Sequence, residues 1–249
     1  MFFSPKDKAS AVGMYSITYF IMLFISIVLI VVGLLLSRKM NHKQVKTANN
    51  VVCIFMWVTE IIKMIFYGLT YGIDSVEFFP LYYCSMFMYA LIMINFKNEK
   101  IKNAAMSYMS FGGVLGAIFF FCYPSSVIPN YHAFHFMSIR TMLFHSSMIY
   151  IGLLNLVTHF YIPKHKHFIN YSIFFLVVFI LAYVNNLITG DNLMYISKPL
   201  PIKIVKDLYN AIPNLYPFIA GFLNLIVPYG LSYGIYLLIN KFLNKNNNI

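Results

Sequence analysis

The segment SITYFIMLFISIVLIVVGLLL, Ser16–Leu36, decides the fold class of this chain, because it contains no charged side chain. About 20 such apolar residues are needed for a helix to cross the roughly 30 Å hydrocarbon core of a bilayer. Lys6 and Lys8 precede the segment, and Arg38 and Lys39 follow it. The segment is too long for the apolar region of a signal peptide, and no small-residue cleavage site follows it. We therefore interpret it as a membrane-spanning helix.

The composition extends this interpretation to the whole chain. Of the 249 residues, 60% are apolar and 10% are charged, against about 45–50% and about 25% in soluble domains. We predict an all-α, polytopic membrane helix bundle of about seven transmembrane helices, forming a single integral membrane domain over residues 1–249 of a cell membrane protein. Six spans remain an alternative if the first or last run lies on the membrane surface. The predicted spans lie near residues 16–36, 49–69, 80–96, 103–122, 137–161, 170–189 and 216–240.

The charge pattern predicts both orientation and partners. Lysine and arginine are more frequent in the first, third and fifth predicted loops and the C-terminal tail than on the other side. Because cytoplasmic loops carry the excess of these residues, the N-terminus is expected outside and the C-terminus inside. The net charge of +11 is spread over short clusters between apolar runs. That distribution favours contact with anionic lipids over nucleic acid.

Polar side chains enter the predicted spans at one depth, in the half of the bundle expected to face outside. A polar group inside a span costs a few kcal/mol on insertion scales, so it usually faces a partner or a cavity. Five different spans, together with the adjoining loop, supply polar groups at this depth. We therefore predict a polar chamber there, formed by Glu60, Lys63, Cys84, Arg140, His145, Asn185, Asn186, Asn224 and Lys198.

Most of these residues also fit a structural role. Glu60 and Lys63 are three residues apart on a helix and can neutralise each other as a structural ion pair. Arg140 can extend towards the lipid head groups. Asn185 and Asn186 are typical of hydrogen bonds between membrane helices. The alternative roles are phosphate binding by Arg140, Lys63 or Lys198 and donation to a developing oxyanion by Asn185 or Asn186.

The cysteines and one histidine indicate a possible catalytic pair. Cys53 lies among Val, Ile and Phe, and Cys122 ends the fourth span, whereas Cys84 shares its depth with His145. A cysteine nucleophile needs a base or a cation to form its thiolate, and histidine is the usual base. No CxxC motif occurs, so the sequence predicts neither a disulfide framework nor a metal site. No cofactor is expected.

Arg140 and His145 are five residues apart, which places them about 140° apart around a helix. They are therefore not expected to share one face. In the fourth span, Gly112 and Gly116 are four residues apart. Small residues at this spacing predict close approach of a neighbouring helix.

Several short stretches resemble a known family. Phe79-Pro80-Leu81-Tyr82-Tyr83-Cys84-Ser85 resembles the Pro-Leu-His-Leu-Cys signature of the YwaF-like integral membrane proteins, with Tyr82 where histidine is common. Phe144-His145-Ser146-Ser147 is similar to the membrane histidine of that family. Ile212–Tyr216 stands where the family has a tryptophan-rich stretch. The Asn-Tyr-Leu and Lys-Pro stretches before the last helix are similar to Asn185-Asn186-Leu187, Gly190-Asp191-Asn192-Leu193-Met194 and Lys198-Pro199.

The animal relatives of that family are the transmembrane protein 164-type acyltransferases, which transfer a polyunsaturated acyl chain to ether lysophospholipids through a cysteine. The resemblance implies that Cys84 accepts the acyl group and that His145 is the histidine paired with it. The hypothesis is a cysteine-dependent phospholipid acyltransferase or acyl hydrolase, with membrane phospholipids as substrate and solvent. The alternative is a transporter or binding protein that holds a small solute in the polar chamber. The absence of an inverted repeat and of a chain of acidic residues disfavours that alternative. No oligomeric state is predicted.

Overall fold

The computed structural model describes residues 2–73 and 79–246, with side chains described up to residue 241. Within these ranges the chain is helical and contains no strand. A π-helical turn at Tyr108–Gly112 joins two of the helices into one continuous helix, Glu99–Cys122. The helices are α1 Ile17–Ser37, α2 His42–Tyr71, α3 Met86–Met93, α4 Glu99–Ser107, α5 Gly113–Cys122, α6 Phe136–Val157, α7 His167–Thr189, α8 Lys203–Ala211 and α9 Tyr216–Asn246.

In the described ranges, five helical stretches are long and apolar enough to cross a membrane. They correspond to five of the seven predicted spans, so the prediction of a multi-pass helical membrane protein is confirmed. The five stretches are Ile17–Ser37, His42–Tyr71, Glu99–Cys122, His167–Thr189 and Tyr216–Lys241.

The remaining two predicted spans differ from these five. Where residues 80–96 were expected to span, the helix is Met86–Met93 with 8 residues, which is about 12 Å long. The 22-residue helix Phe136–Val157 is about 33 Å long. Its polar residues, which include Arg140 and His145, leave it without a stretch as apolar as those of the five candidate spans. Many of its side chains are buried inside the bundle.

The continuous helix Glu99–Cys122 lies at the centre of the bundle, and 72% of its most apolar 18-residue stretch is buried. α4 packs against α7, and α5 packs against α6. α6 in turn contacts α1 and α2, whereas α9 packs on the π turn. The outer helices α1 and α9 leave many apolar side chains exposed. Such faces are suited to lipid contact, because lipid tails are as apolar as the side chains they meet.

The small residues of the central helix accommodate aromatic rings and not a neighbouring helix backbone. A Cβ atom added at Gly116 would lie 3.0 Å from Tyr83 Cε1, and one at Gly112 would lie 2.5 Å from the Tyr83 hydroxyl. The expected close approach of two helices occurs elsewhere. A Cβ added at Gly152 of α6 would overlap the Met109 carbonyl oxygen of the π turn. Gly152 therefore allows α6 to lie directly against this turn.

The N-terminal segment is held against the start of α6 by His135. Its Nδ1 accepts a hydrogen bond from the Met137 amide at 3.0 Å and so caps the helix. Its Nε2 lies 3.0 Å from the Ser4 carbonyl oxygen, so in the neutral ring Nε2–H is the donor. The Phe136 amide also donates to the Phe2 carbonyl oxygen at 3.0 Å. Protonation of Nδ1 would remove the acceptor that caps α6.

We expect the stability of the protein to fall with decreasing pH through His135. Burial lowers the pKa of His135 from its usual 6.5, so the folded state binds fewer protons than the unfolded state just below that pH. The stabilisation is therefore present above pH 6.5 and is lost as the pH falls through the lower folded value. Asparagine keeps an N-cap acceptor without titrating in this range. Thermal unfolding between pH 7.5 and 5 should therefore be less pH-dependent in His135→Asn than in wild type, and equal slopes would contradict this account.

Candidate functional site

Cys84 lies in the turn that leads into α3 and is half-buried. The Cys84 carbonyl oxygen accepts a hydrogen bond from the Phe87 amide at 3.1 Å, and the Tyr82 carbonyl oxygen accepts one from Met86 at 3.2 Å. These bonds fix the backbone on both sides of the thiol. The Sγ atom points to α5 and lies 3.8 Å from the position of a Cβ atom at Gly116. The glycine leaves room for the adjacent Tyr83 ring, while the thiol lies at ordinary contact distance from the helix surface.

Tyr83, the residue before Cys84, is held in place by hydrogen bonds with two other tyrosines. The Tyr108 hydroxyl donates a hydrogen bond to the Tyr83 carbonyl oxygen. The Tyr83 hydroxyl lies 3.3 Å from the Tyr171 hydroxyl, which itself donates to the Leu225 carbonyl oxygen at 3.1 Å. The position of Cys84 is therefore linked to α7 and α9 through hydroxyl groups inside the bundle.

His145 lies on α6 and is buried against aromatic rings. Its ring stacks on Phe120 of α5, with ring centroids 3.7 Å apart and an interplanar angle of 8°. Its Nδ1 lies 2.7 Å from the Thr141 carbonyl oxygen. A carbonyl oxygen only accepts, so Nδ1 carries the proton of the neutral ring and Nε2 carries the lone pair. The ring is thus oriented with its basic nitrogen away from its own helix turn.

One face of α5 contacts both members of the predicted pair. Cys84 Sγ lies at Gly116, and the His145 ring lies on Phe120. Residues four apart on a helix share a face and are separated by about 6 Å along the axis. No hydrogen bond between Sγ and the imidazole is among the contacts of the described residues. The thiol and the imidazole therefore contact the same face of α5, with no described hydrogen bond between them.

A buried ionic cluster lies between α2 and α6. Glu60 has a side chain only 2% exposed, and Lys63 Nζ lies 2.6 Å from its Oε1. An Arg140 guanidinium nitrogen contacts Glu60 Oε2. Arg140 Nε also donates to the Thr59 carbonyl oxygen at 3.2 Å, and its guanidinium carbon lies 5.2 Å from the Phe144 ring centroid. Lys63 and Arg140, the two predicted phosphate-binding cations of the membrane helices, therefore both contact the Glu60 carboxylate.

The asparagines near the end of α7 support a loop. The Asn186 amide donates to the Leu193 carbonyl oxygen at 3.1 Å and accepts from the Leu193 amide at 2.9 Å. Asn224 of α9 donates to the Met194 carbonyl oxygen at 3.2 Å. Both groups of the Asn186 side chain are therefore used by the backbone, and the oxyanion role expected for it would require that pair to break.

Asn185 and Lys198 lie closer to solvent. The Asn185 amide lies 3.3 Å from the Thr189 hydroxyl and 3.4 Å from an Asp191 carboxylate oxygen. Lys198 has an exposed side chain, and its backbone is held by both groups of the Asn192 side chain. Neither residue contacts Cys84 or His145 through a described bond.

The described bonds connect the residues of the predicted chamber to several different parts of the bundle. Depth alone placed these residues together, but their described hydrogen bonds and ion pairs join them to different neighbours. Arg140 is directed to α2 and His145 to α5, as their five-residue spacing predicts. Among the described residues, no group of three or more His, Cys, Asp or Glu side chains could hold a metal ion.

The family of the chain follows from a comparison with family models. The model described as the TMEM164 family matches residues 14–233, which is most of the chain. The chain belongs to the TMEM164 family. The matched range of this TMEM164 family member contains Cys84, His145 and every other predicted site residue. Comparisons with curated proteins and with solved structures returned no match.

The immediate surroundings of Cys84 in this TMEM164 family member include residues that the sequence did not single out. Tyr83, Tyr108 and Tyr171 fix the turn that carries the thiol, while Phe120 and Thr141 orient the imidazole. The chain contains 20 tyrosines and 25 phenylalanines, so residue type alone gave no signal. The position of Tyr83 directly before Cys84 was the one available indication.

Proposed function

We propose that this TMEM164 family protein is a membrane lipid acyltransferase that moves a fatty acyl group between phospholipids through a thioester on Cys84. His145 acts as the base in this proposal. Family membership over residues 14–233 and the apolar helices of a membrane protein support a lipid substrate. The resemblance of the sequence around Cys84 to an acyl-accepting cysteine supports the reaction.

One observation carries the assignment of roles. The Nδ1 atom of His145 is bonded to the Thr141 carbonyl oxygen, which leaves Nε2 as the nitrogen able to take a proton. This ring lies one helical turn along α5 from the site of Cys84 Sγ. The reaction requires Nε2 to reach Sγ directly or through one water. Catalytic hydrogen bonds often shorten only when substrate is bound.

The proposed reaction has two steps. His145 Nε2 takes the proton of the Cys84 thiol, and the thiolate attacks the ester carbonyl carbon of the donor phospholipid. The bond between that carbon and the glycerol oxygen breaks, and the leaving oxygen takes the proton from His145. In the second step His145 takes the proton of an acceptor lipid hydroxyl, whose oxygen attacks the thioester carbonyl carbon. The bond from that carbon to sulfur breaks, and the released Cys84 thiolate takes the proton back from His145. Water as the acceptor would give hydrolysis instead.

The cationic side chains between α2 and α6 suit a phosphate-bearing substrate. Arg140 and Lys63 both contact the Glu60 carboxylate and form a cluster with it. Arg140 lies on the same helix as His145, and Lys198 is exposed in a loop. We propose that this cluster and Lys198 attract the lipid phosphate. The transport alternative needs one shared polar chamber, and the described contacts do not support it.

Replacement of the nucleophile tests the proposal. We expect Cys84→Ser protein in vesicles to exchange labelled acyl chains between phospholipids no faster than vesicles without protein. Cys53→Ser and Cys122→Ser are matched controls, because these cysteines lie elsewhere on α2 and at the end of α5. Both should keep the wild-type rate. Equal rates in Cys84→Ser and wild type would overturn the proposal.

A further inference from the structure

A cavity of about 490 Å³ opens at the N-terminal end of α2, near the loop that joins it to α1. This volume lies within the range of about 300–1,000 Å³ that is typical of small-molecule sites. Lys43 and Gln44 line one end of the cavity, whereas Val51 and Val52 line its wall and Tyr150 of α6 contributes a ring. The lining is thus polar at the loop and apolar further along α2.

Tyr150, which lines this cavity, is held in place by contacts with α1. Its ring packs against α1, where a Cβ atom at Gly33 would lie 3.1 Å from it. Its hydroxyl donates to the Ser37 hydroxyl at 3.1 Å. A second, separate cavity of about 140 Å³ has Tyr150 in its lining together with Leu29 and Ile30 of α1. We call the larger cavity, whose lining is largely apolar, the Tyr150 groove.

The polar end of the Tyr150 groove lies in a strongly basic segment. Arg38, Lys39, Lys43 and Lys46 occur within nine residues, and the sequence contains no acidic residue between Asp7 and Glu60. The ion pairs recorded in the described ranges involve other cations. Basic residues beside a membrane helix attract anionic lipids. The groove is therefore an open, mostly apolar depression that lies beside a cluster of positive charge.

We propose that the Tyr150 groove binds an anionic glycerophospholipid, with the phosphate at Lys43 and an acyl chain along Val51, Val52 and Tyr150. Lys43 and Glu60 are 17 residues apart on α2, which corresponds to about 25 Å along the helix axis. The groove is thus distant from the Glu60 cluster of the proposed acyl-transfer site. The bound lipid is a second, separate lipid, and its binding does not depend on the proposed reaction.

Native mass spectrometry of the purified full-length protein tests this site. The protein is incubated with equal amounts of phosphatidylglycerol and phosphatidylcholine, and the bound lipids are counted. We expect one preferentially retained phosphatidylglycerol, whose affinity falls about fivefold in Lys43→Gln, the contribution of one lysine near an anionic surface. Lys97→Gln is the matched control. The loop that carries Lys97 lies at the same end of the bundle, because the Asn95 amide donates to Asn50 at 3.0 Å.

A second variant tests the apolar part of the groove. Val51→Trp should fill the apolar part of the Tyr150 groove and abolish retention of the lipid. Ile65 is an exposed residue of the same helix outside the groove, so Ile65→Trp should not affect retention. Retention of phosphatidylglycerol by Val51→Trp would overturn the site, as would equal losses in Lys43→Gln and Lys97→Gln. Cys84→Ser should retain the lipid, so failure of this proposal and failure of the acyl-transfer proposal are distinguishable.

Discussion

His145→Asn is expected to lower the rate of acyl exchange by about 10²–10⁴-fold, the contribution usual for a positioned general base. Asparagine places an amide nitrogen near the position of Nδ1, so it can keep the hydrogen bond to the Thr141 carbonyl oxygen. It has no counterpart of Nε2. The variant therefore removes the base while leaving the local helix contact in place. The measurement is the transfer of labelled acyl chains between phospholipids in vesicles that contain the purified protein.

A control separates the loss of the base from a general effect of the substitution. His165 is exposed, and its Nδ1 lies 3.4 Å from the Tyr233 hydroxyl, outside the site. His165→Asn should keep the wild-type rate. If His145→Asn also keeps the wild-type rate while Cys84→Ser abolishes transfer, the cysteine is activated by another group and the assigned role of His145 is wrong.

Gly152→Ala is expected to destabilise the protein by about 1–3 kcal/mol, the usual cost of overpacking a core. The added Cβ atom would overlap the Met109 carbonyl oxygen and a Val114 methyl group. A backbone carbonyl inside the π turn cannot move away as the end of a flexible side chain can. Because α6 carries His145, and Tyr108 of the same turn bonds to the Tyr83 carbonyl oxygen, the displacement should also slow acyl exchange.

Replacing another glycine, one in open space, with alanine should not lower the stability of the protein. A Cβ atom at Gly230 or Gly234 of α9 meets no atom within 4 Å. Alanine is favoured over glycine inside a helix by about 1 kcal/mol, so these variants should be equally or more stable than wild type. Thermal unfolding in detergent compares the three variants with wild type. A Gly152→Ala protein as stable as Gly230→Ala would contradict the close contact between α6 and the π turn.

The sequence predicted the long lipid-facing helices because their apolar runs are continuous. The segment Ser16–Leu36 matches the helix Ile17–Ser37 to within one residue at each end. The prediction over residues 80–96 was longer than the observed helix. Met86, Phe87 and Leu91 are fully buried in the protein, and hydropathy does not distinguish a protein core from a lipid environment. The turn before Met86 shortens the helix to 8 residues.

The sequence predicted the depth of the site residues in the membrane, but not which neighbouring helix each side chain faces. A residue number fixes the height of a side chain in a span, and Glu60, Arg140 and Asn186 were placed by height. Their neighbours depend on how the helices pack, and the packing separates Asn186 at the Leu193 loop from Glu60 and Arg140. The five-residue spacing of Arg140 and His145 was informative because it fixes an angle within a single helix.

The aromatic surroundings of the site were not predictable from residue type. Phe120 lies in a run of three phenylalanines, and only the packing of α5 on α6 selects it as the partner of the His145 ring. Tyr171 is more than 80 residues from Tyr83 in the chain and contacts it through the hydroxyl groups. Such contacts depend on tertiary packing, which no local pattern of residues specifies.

The most direct test of the central claim is the intact mass of the purified protein after incubation with phospholipids that carry isotopically labelled acyl chains. The account predicts an added mass of one acyl group that hydroxylamine removes and that peptide mapping assigns to Cys84. The adduct should persist in Cys53→Ser and Cys122→Ser and be absent from Cys84→Ser. A labelled adduct that remains in Cys84→Ser, or acyl exchange that proceeds in Cys84→Ser, would contradict the claim.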